Sequence, residues 1–103
     1  MAGARVLVTP RAFLDLDGEH KDILKKAGYE IVANPRPRVL TEDEMAAYIV
    51  GIQAVIVGDE PVSHRVLDRA DALKVISKFG TQVDNIDVDV AAVRKIPVTI
   101  TPG

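Results

Sequence analysis

Cysteine is absent from the chain, which excludes disulfides and thiolate chemistry and fits a reducing compartment. Tryptophan is absent too, and aromatic residues make up only 4% of the sequence. The apolar material is therefore Val, Ile, Leu and Ala, which favours a core of buried strands under amphipathic helices. No apolar run approaches the ~18 residues that a membrane span needs. The opening Met-Ala-Gly-Ala-Arg runs directly into a strand-like segment, so no signal peptide is expected. Charge of one sign is also lacking. The formal net charge of −2 gives no electrostatic reason to expect nucleic acid or an anionic membrane as a partner. Glycine stands at 3, 18, 28, 51, 58, 80 and 103, and no trio has the G-x-G-x-x-G spacing of a dinucleotide-binding loop. A cytoplasmic domain is the expectation.

The 103 residues suffice for one compact domain and not for two. Two patterns alternate along them. Arg5-Val6-Leu7-Val8-Thr9 is a β-branched run stopped by Pro10, and it reads as a buried strand. Gly18 to Ala27 places Ile23, Leu24 and Ala27 at helical spacing, with Gly28 as a left-handed terminator. Tyr29 to Ala33 reads as a second strand, closed by Asn34-Pro35. Arg36 and Arg38 alternate with Pro35 and Pro37 in what reads as a solvated loop.

Thr41-Glu42-Asp43-Glu44 is a capping-box sequence, and it opens a helix with Met45, Ala46 and Ile49 inward and Gly51 at its end. Ile52 to Val57 is a third strand. Ser63 is the expected N-cap of a helix with Val66, Leu67 and Ala70 inward. Leu73 to Phe79 and Val98 to Ile100 are the fourth and fifth strands, separated by a short helix from about Asp87 to Arg94 that is expected to turn Val90 and Val93 inward.

Regular β-α alternation with short apolar strands argues for a parallel sheet covered on both faces. Right-handed crossovers then favour a flavodoxin-like three-layer α/β/α fold with five strands in the order 2-1-3-4-5. No helix follows the fifth strand in the sequence. The expectation is a domain lacking its closing helix, with Val98 and Ile100 short of cover.

Ligands of open α/β sheets sit beyond the carboxyl ends of the strands. The segments to examine are Thr9 to Arg11, Gly58 to Pro61, Lys78 to Asn85 and Thr101 to Gly103. The richest is Lys78-Phe79-Gly80-Thr81-Gln82-Val83-Asp84-Asn85. Gly80 lets backbone amides turn towards an anion, Lys78 adds a positive charge, and Asp84 and Asn85 are suited to bracing the turn through local bonds. Local chemistry alone leaves two readings open, a carboxylate site and a well-capped loop with Asp87 as N-cap. His20 and His64 read as helix-surface residues without a carboxylate partner, and no metal site is expected.

Leu73-Lys74-Val75-Ile76-Ser77-Lys78-Phe79-Gly80, Val83-Asp84-Asn85-Ile86-Asp87, Ile96-Pro97-Val98-Thr99 and Thr101-Pro102-Gly103 together resemble the D-isomer-specific 2-hydroxyacid dehydrogenases, especially their phosphoglycerate dehydrogenase branch. Leu24 to Ile31 and Ala54 to Gly58, with Glu60-Pro61-Val62, fit the same family.

The resemblance implies a two-domain NAD-dependent oxidoreductase, of which residues 1–103 would be a truncated substrate-binding domain without the Rossmann domain. It implies that Lys78, Phe79, Gly80, Thr81 and Gln82 form the substrate-carboxylate loop, working largely through backbone amides. No catalytic or cofactor-binding residue is then expected in this chain, and no NAD bound to it. The expected partners are a weakly bound 2-hydroxy or 2-keto acid and a second copy, docked through the uncovered sheet face or edge.

Three positions depart from the family pattern: Gln82 and Lys95 replace usual glycines, and Ile100 replaces a usual asparagine. A left-handed Lys95 would cost on the order of 1 kcal/mol. The competing class is a non-catalytic association or receiver-type domain of the same fold. Asp59 after the third strand suits a phosphoacceptor, but Thr9-Pro10-Arg11 supplies no acidic pair and Thr101-Pro102 no lysine.

Overall fold

A computed structural model of the chain describes residues 4–10, 28–36 and 38–101. The helix expected over Gly18 to Ala27, with His20, lies outside these residues, as do Arg11, Pro102 and Gly103. The strands are β1 (Arg5–Val8), β2 (Glu30–Ala33), β3 (Ala54–Val57), β4 (Val75–Phe79) and β5 (Val98–Thr101). The described helices are α1 (Glu42–Tyr48), α2 (His64–Arg69) and α3 (Val88–Val93). All strand pairs are parallel, and the order is β2-β1-β3-β4-β5, as expected.

The register carries one apolar row across the sheet. Leu7 lies opposite Val55, Val55 opposite Ile76, and Ile76 opposite Val98. Side chains alternate along a strand, so Val6, Val8, Ala54 and Ile56 turn to the other face. Leu7, Val55, Val57 and Ile76 share one buried cluster with Met45, Ala46 and Ile49, with Val66 and Leu67, and with Ala91. The three described helices therefore cover the same face. Across the sheet, Val6 and Val8 pack with Ile31, Ala54, Ile56 and Phe79.

Helix starts follow the sequence closely. The Thr41 hydroxyl accepts from the Glu44 amide at 3.2 Å, and the Glu44 carboxylate accepts from the Thr41 amide at 2.9 Å. Both halves of the capping box are thus closed. Ser63 and Asp87 cap α2 and α3 by accepting from Val66 and Val90.

The inward face of α3 differs from expectation. Ala91 is its buried residue, whereas Val93 is 82% exposed. Two positions after Ala91, at about 100° per residue, Val93 has rotated to the far side of the helix. Arg94 instead returns over α2, donating to the Leu67 carbonyl and to the Ala70 carbonyl at 2.7 Å.

The end of α3 explains Lys95. Its φ is 59°, its amide donates to Ala92 O at 3.0 Å, and the Ile96 amide donates to Ala91 O at 2.8 Å. This is the Schellman pair of bonds, with buried Ile96 against buried Ala91. The position needs a left-handed residue, and lysine occupies it at a steric cost. Lys95→Gly is expected to stabilise the chain by about 0.5 kcal/mol, the relief of strain being partly offset by glycine's greater unfolded-state entropy. A melting temperature raised by roughly 2–4 °C is the corresponding reading. An unchanged or lowered value would show that the lysine side chain supplies more than its backbone costs.

The start of α1 carries a second expectation. The Arg38 guanidinium, reaching Glu44 at 2.7 and 3.0 Å, and then the Thr41 amide hold the Glu44 carboxyl down to about 2 from an ordinary value of 4.5. A carboxyl depressed in the folded state contributes stability above its unfolded pKa and loses it as pH falls towards its folded one. Glu44→Gln is therefore expected to unfold at lower urea than the parent at pH 6, with the gap shrinking below pH 4.5 and most of it gone by pH 2. A gap that stays constant over this range would contradict the assignment.

Candidate functional site

In the order 2-1-3-4-5 the chain reverses direction between β1 and β3, and a crevice opens there at the carboxyl ends. A cleft of about 620 Å³ lies at this place, lined by Thr9 and Pro10 after β1, Asn34 after β2, Gly58, Asp59 and Glu60 after β3, and Phe79 at the end of β4. Arg36, Arg38 and Val39 form its outer wall. The two arginines are engaged with Glu44, Arg36 through Nε at 3.4 Å and Arg38 through Nη1 at 2.7 Å.

The floor of the site is the segment Gly58 to Glu60, which is gripped from both sides. Glu60 is buried, and it reaches back to the β1 end. Its Oε1 accepts from the Thr9 hydroxyl at 2.7 Å and the Gly58 amide at 3.2 Å, while its Oε2 accepts from the Leu40 amide at 3.3 Å. A buried carboxylate is costly without such donors, and here three separate chain segments supply them.

Asn34 adds a link. Its Nδ2 donates to the Arg38 carbonyl at 2.9 Å, and its Oδ1 accepts from the Arg36 amide at 2.8 Å. On the other side, Asn85 Nδ2 donates to Gly58 O at 2.9 Å and Glu60 O at 2.6 Å. The Val62 and Asp87 amides then tie the two segments together through Asn85 O and Val62 O, at 2.8 and 2.9 Å.

The five residues expected to form a carboxylate loop fall into three environments. Lys78 lies in register with Val57 and Ile100, on the helix-covered face. Its side chain is 7% exposed, and Nζ donates to Gly58 O at 2.5 Å and Asn85 Oδ1 at 2.9 Å. Phe79 turns to the opposite face, packs with Val6 and Val8, and alone of the five lines the cleft. Gly80 follows with φ 148°, where glycine is favoured. Thr81 and Gln82 are exposed.

The loop ends in a turn closed by the Ile86 amide on Val83 O at 3.0 Å. Asn85 does not brace this turn locally as expected. Its amide group is used across 25 and 27 residues, because Gly58 and Glu60 present carbonyls that the end of β3 leaves without ladder partners.

His64 also differs from expectation. Its Nε2 lies 3.3 Å from Asp68 Oδ1, four residues on, with both side chains about two-thirds exposed. One helical turn brings such a pair together on the surface of α2. Glu60 and Asn34 were not singled out from the sequence. Their signal was the position of each just past a strand end, with Glu60 inside a turn-like Gly-Asp-Glu-Pro run.

Comparison with known proteins places the geometry. Residues 6–103 match the profile of the D-isomer-specific 2-hydroxyacid dehydrogenase catalytic domain. A putative 2-hydroxyacid dehydrogenase of Staphylococcus saprophyticus is 28% identical over 82 residues, 79% of this chain and 26% of its own length. The D-3-phosphoglycerate dehydrogenase of Archaeoglobus fulgidus is 30% identical over 83 residues, 80% of this chain and 15% of its own length.

Among solved structures, a protein from Thermus thermophilus superposes with a TM-score of 0.81 at 36% identity, over 96% of this chain and 30% of its own. The NAD+-bound 3-phosphoglycerate dehydrogenase of Entamoeba histolytica gives 0.79 at 25% identity, over 98% and 33%. The chain thus spans about a quarter of the Staphylococcus relative and less of the Archaeoglobus one. With the profile matched over nearly its whole length, and the sheet order and strand-end cleft in place, the chain belongs to the D-isomer-specific 2-hydroxyacid dehydrogenase family.

Proposed function

We propose that the Gly80–Gln82 loop takes the carboxylate of a small 2-hydroxy or 2-keto acid, as part of the substrate-binding domain of an NAD-dependent dehydrogenase of the phosphoglycerate dehydrogenase type. The observation that carries this reading is the placement of Gly80. It directly follows Phe79, the β4 residue that lines the cleft, with a backbone conformation that a side chain would oppose. Backbone amides in such a turn recognise an anion without needing a cationic side chain.

Oxidation or reduction of the acid belongs to the whole enzyme. The residues that would hold the dinucleotide pyrophosphate, a glycine-rich loop at a helix N-terminus, do not occur in these 103 residues. The chain by itself is accordingly proposed to bind an acid without turning it over, and not to hold NAD tightly. Affinity is expected in the millimolar range, because one wall of the site must come from elsewhere and ordering costs are not shared. Titration of the labelled chain with pyruvate and with D-lactate should shift amide resonances clustered at Lys78 to Val83. Shifts scattered over other segments, with that loop silent, would remove the assignment.

A second reading concerns association, and it is favoured by one surface. A groove of about 600 Å³ runs between α3 and β5, lined by Val83, Val88, Ala92, Ile96, Pro97, Val98 and Ile100, with Lys95 at its rim. Val88 is 41% exposed and Ile100 48%. Contiguous apolar surface of this kind marks an interaction site. β5 is also an end of the sheet, so its outer backbone groups are open to pairing. We propose a second copy of the chain as the occupant. A twofold axis beside β5 would pair the two edge strands antiparallel and cover the groove of each copy with the other. Sedimentation at tens of micromolar should show a concentration-dependent dimer. A single species near 11.1 kDa at every concentration would sink the idea.

A further inference from the structure

We infer that Lys78 and Asn85 form a positioning pair that sets the shape of the Gly80–Gln82 loop, and that neither touches the bound acid. The inference rests on the carboxylate reading of that loop and changes the role of its one cationic side chain.

An ammonium group has three donors. Those of Lys78 have three destinations, Gly58 O at 2.5 Å, Asn85 Oδ1 at 2.9 Å and, more loosely, Asp59 Oδ1 at 3.7 Å. Asn85 is spent in the same way, with its amide donating to Gly58 O and Glu60 O while its oxygen accepts from Lys78. Two of the three Lys78 donors and both Asn85 donors are therefore committed within the protein, and the third Lys78 donor points towards the Asp59 carboxylate.

Their placement in the chain gives the pair its effect. Lys78 stands two residues before Gly80, and Asn85 stands three after Gln82. Both ends of the loop therefore converge on one carbonyl, that of Gly58, on the neighbouring β3 segment. Gly58 is itself held from the opposite side by Glu60 and Thr9, at 3.2 and 3.4 Å. The loop is suspended between two anchors on a half-buried, doubly held support.

Gly80 completes the coupling. A Cβ built on it would stand 3.3 Å from Lys78 Cε, so the loop backbone rests against the lysine stem. Displacing the ammonium moves the stem, and the stem is what Gly80 sits on. The amides offered to a carboxylate are thus aimed by a cation that stays behind them.

The test compares the parent with Lys78→Met and Asn85→Ala, by amide hydrogen exchange without ligand and by titration with pyruvate. Positioning predicts faster exchange at Gly80 to Val83 in both variants, with the strand amides of β1 and β3 unchanged. It also predicts pyruvate binding weakened on the order of tenfold in both. Asn85→Ala is the discriminating variant, because it leaves the charge of Lys78 in place and frees one of its donors. Pyruvate binding equal to the parent's or tighter in Asn85→Ala, alongside loss in Lys78→Met, would make Lys78 a direct ligand and overturn the proposal.

Unchanged loop exchange in both variants would overturn it equally. Should a variant not fold, the parent alone decides through the Lys78 Nζ resonance. That resonance is expected to stay fixed at saturating pyruvate while the Gly80–Gln82 amides shift, and movement of Nζ with them would refute the pair's role. Silence of the whole loop towards pyruvate would remove the carboxylate reading, and the exchange comparison would still judge the positioning.

Discussion

The site depends on one short segment, Gly58 to Glu60, and on how it meets its hydrogen bonds. A parallel sheet satisfies its strands in their interiors and leaves amides and carbonyls without partners where each strand stops. In this chain the end of β3 is flanked by the ends of β1 and β4. Two buried charged side chains complete its bonds, Glu60 from within the segment and Lys78 from the next strand. Neither charge is left alone, and among the described residues no buried side-chain polar atom lacks a partner. Removing either ion would leave its neighbours unsatisfied, which is why buried polar groups of this kind act as a unit.

Much of the fold could be read from the sequence because it rests on local rules. The run Arg5 to Val8 is apolar and β-branched and became β1, and Thr41 with Glu44 closed as a capping box. The sheet order followed from right-handed crossovers between parallel strands. Departures came where a side chain acts over a distance that periodicity does not encode. Arg94 reaches back 24 and 27 residues to α2, and with it the inward face of α3 turned from Val93 to Ala91. His64 and Asp68 are the exception, since their spacing of one helical turn is local and legible in the sequence.

The candidate site divides along the same line. That Lys78 to Gln82 lies at a strand end beside a cleft was visible in the sequence. What each residue does there was not, because it depends on which face of β4 each one takes and on what crosses from other strands. Alternation sends Lys78 into the helix-covered layer and Phe79 into the cleft. Glu60 meets Thr9 across 51 residues, and Asn85 meets Gly58 across 27. These contacts exist only once β1, β3 and β4 are neighbours. The contacts of the Lys78 ammonium with Gly58 O and Asn85 Oδ1 are therefore set by the fold and not by its local sequence.

The three departures from the family pattern bear on where this chain differs from its relatives. Lys95 keeps a left-handed backbone because two amide bonds and the burial of Ile96 fix the turn whatever side chain stands there. Ile100 costs the sheet nothing, since the outer end of β5 is half exposed. Gln82 is exposed beside Val83. Lys95, Ile100 and Val83 all line the groove between α3 and β5. Two of the departures thus form part of this one surface, and the third, Gln82, stands in the loop that adjoins it, while Ile100 is also the register partner of Lys78. The acid loop and the association surface proposed above thus meet along β4 and β5.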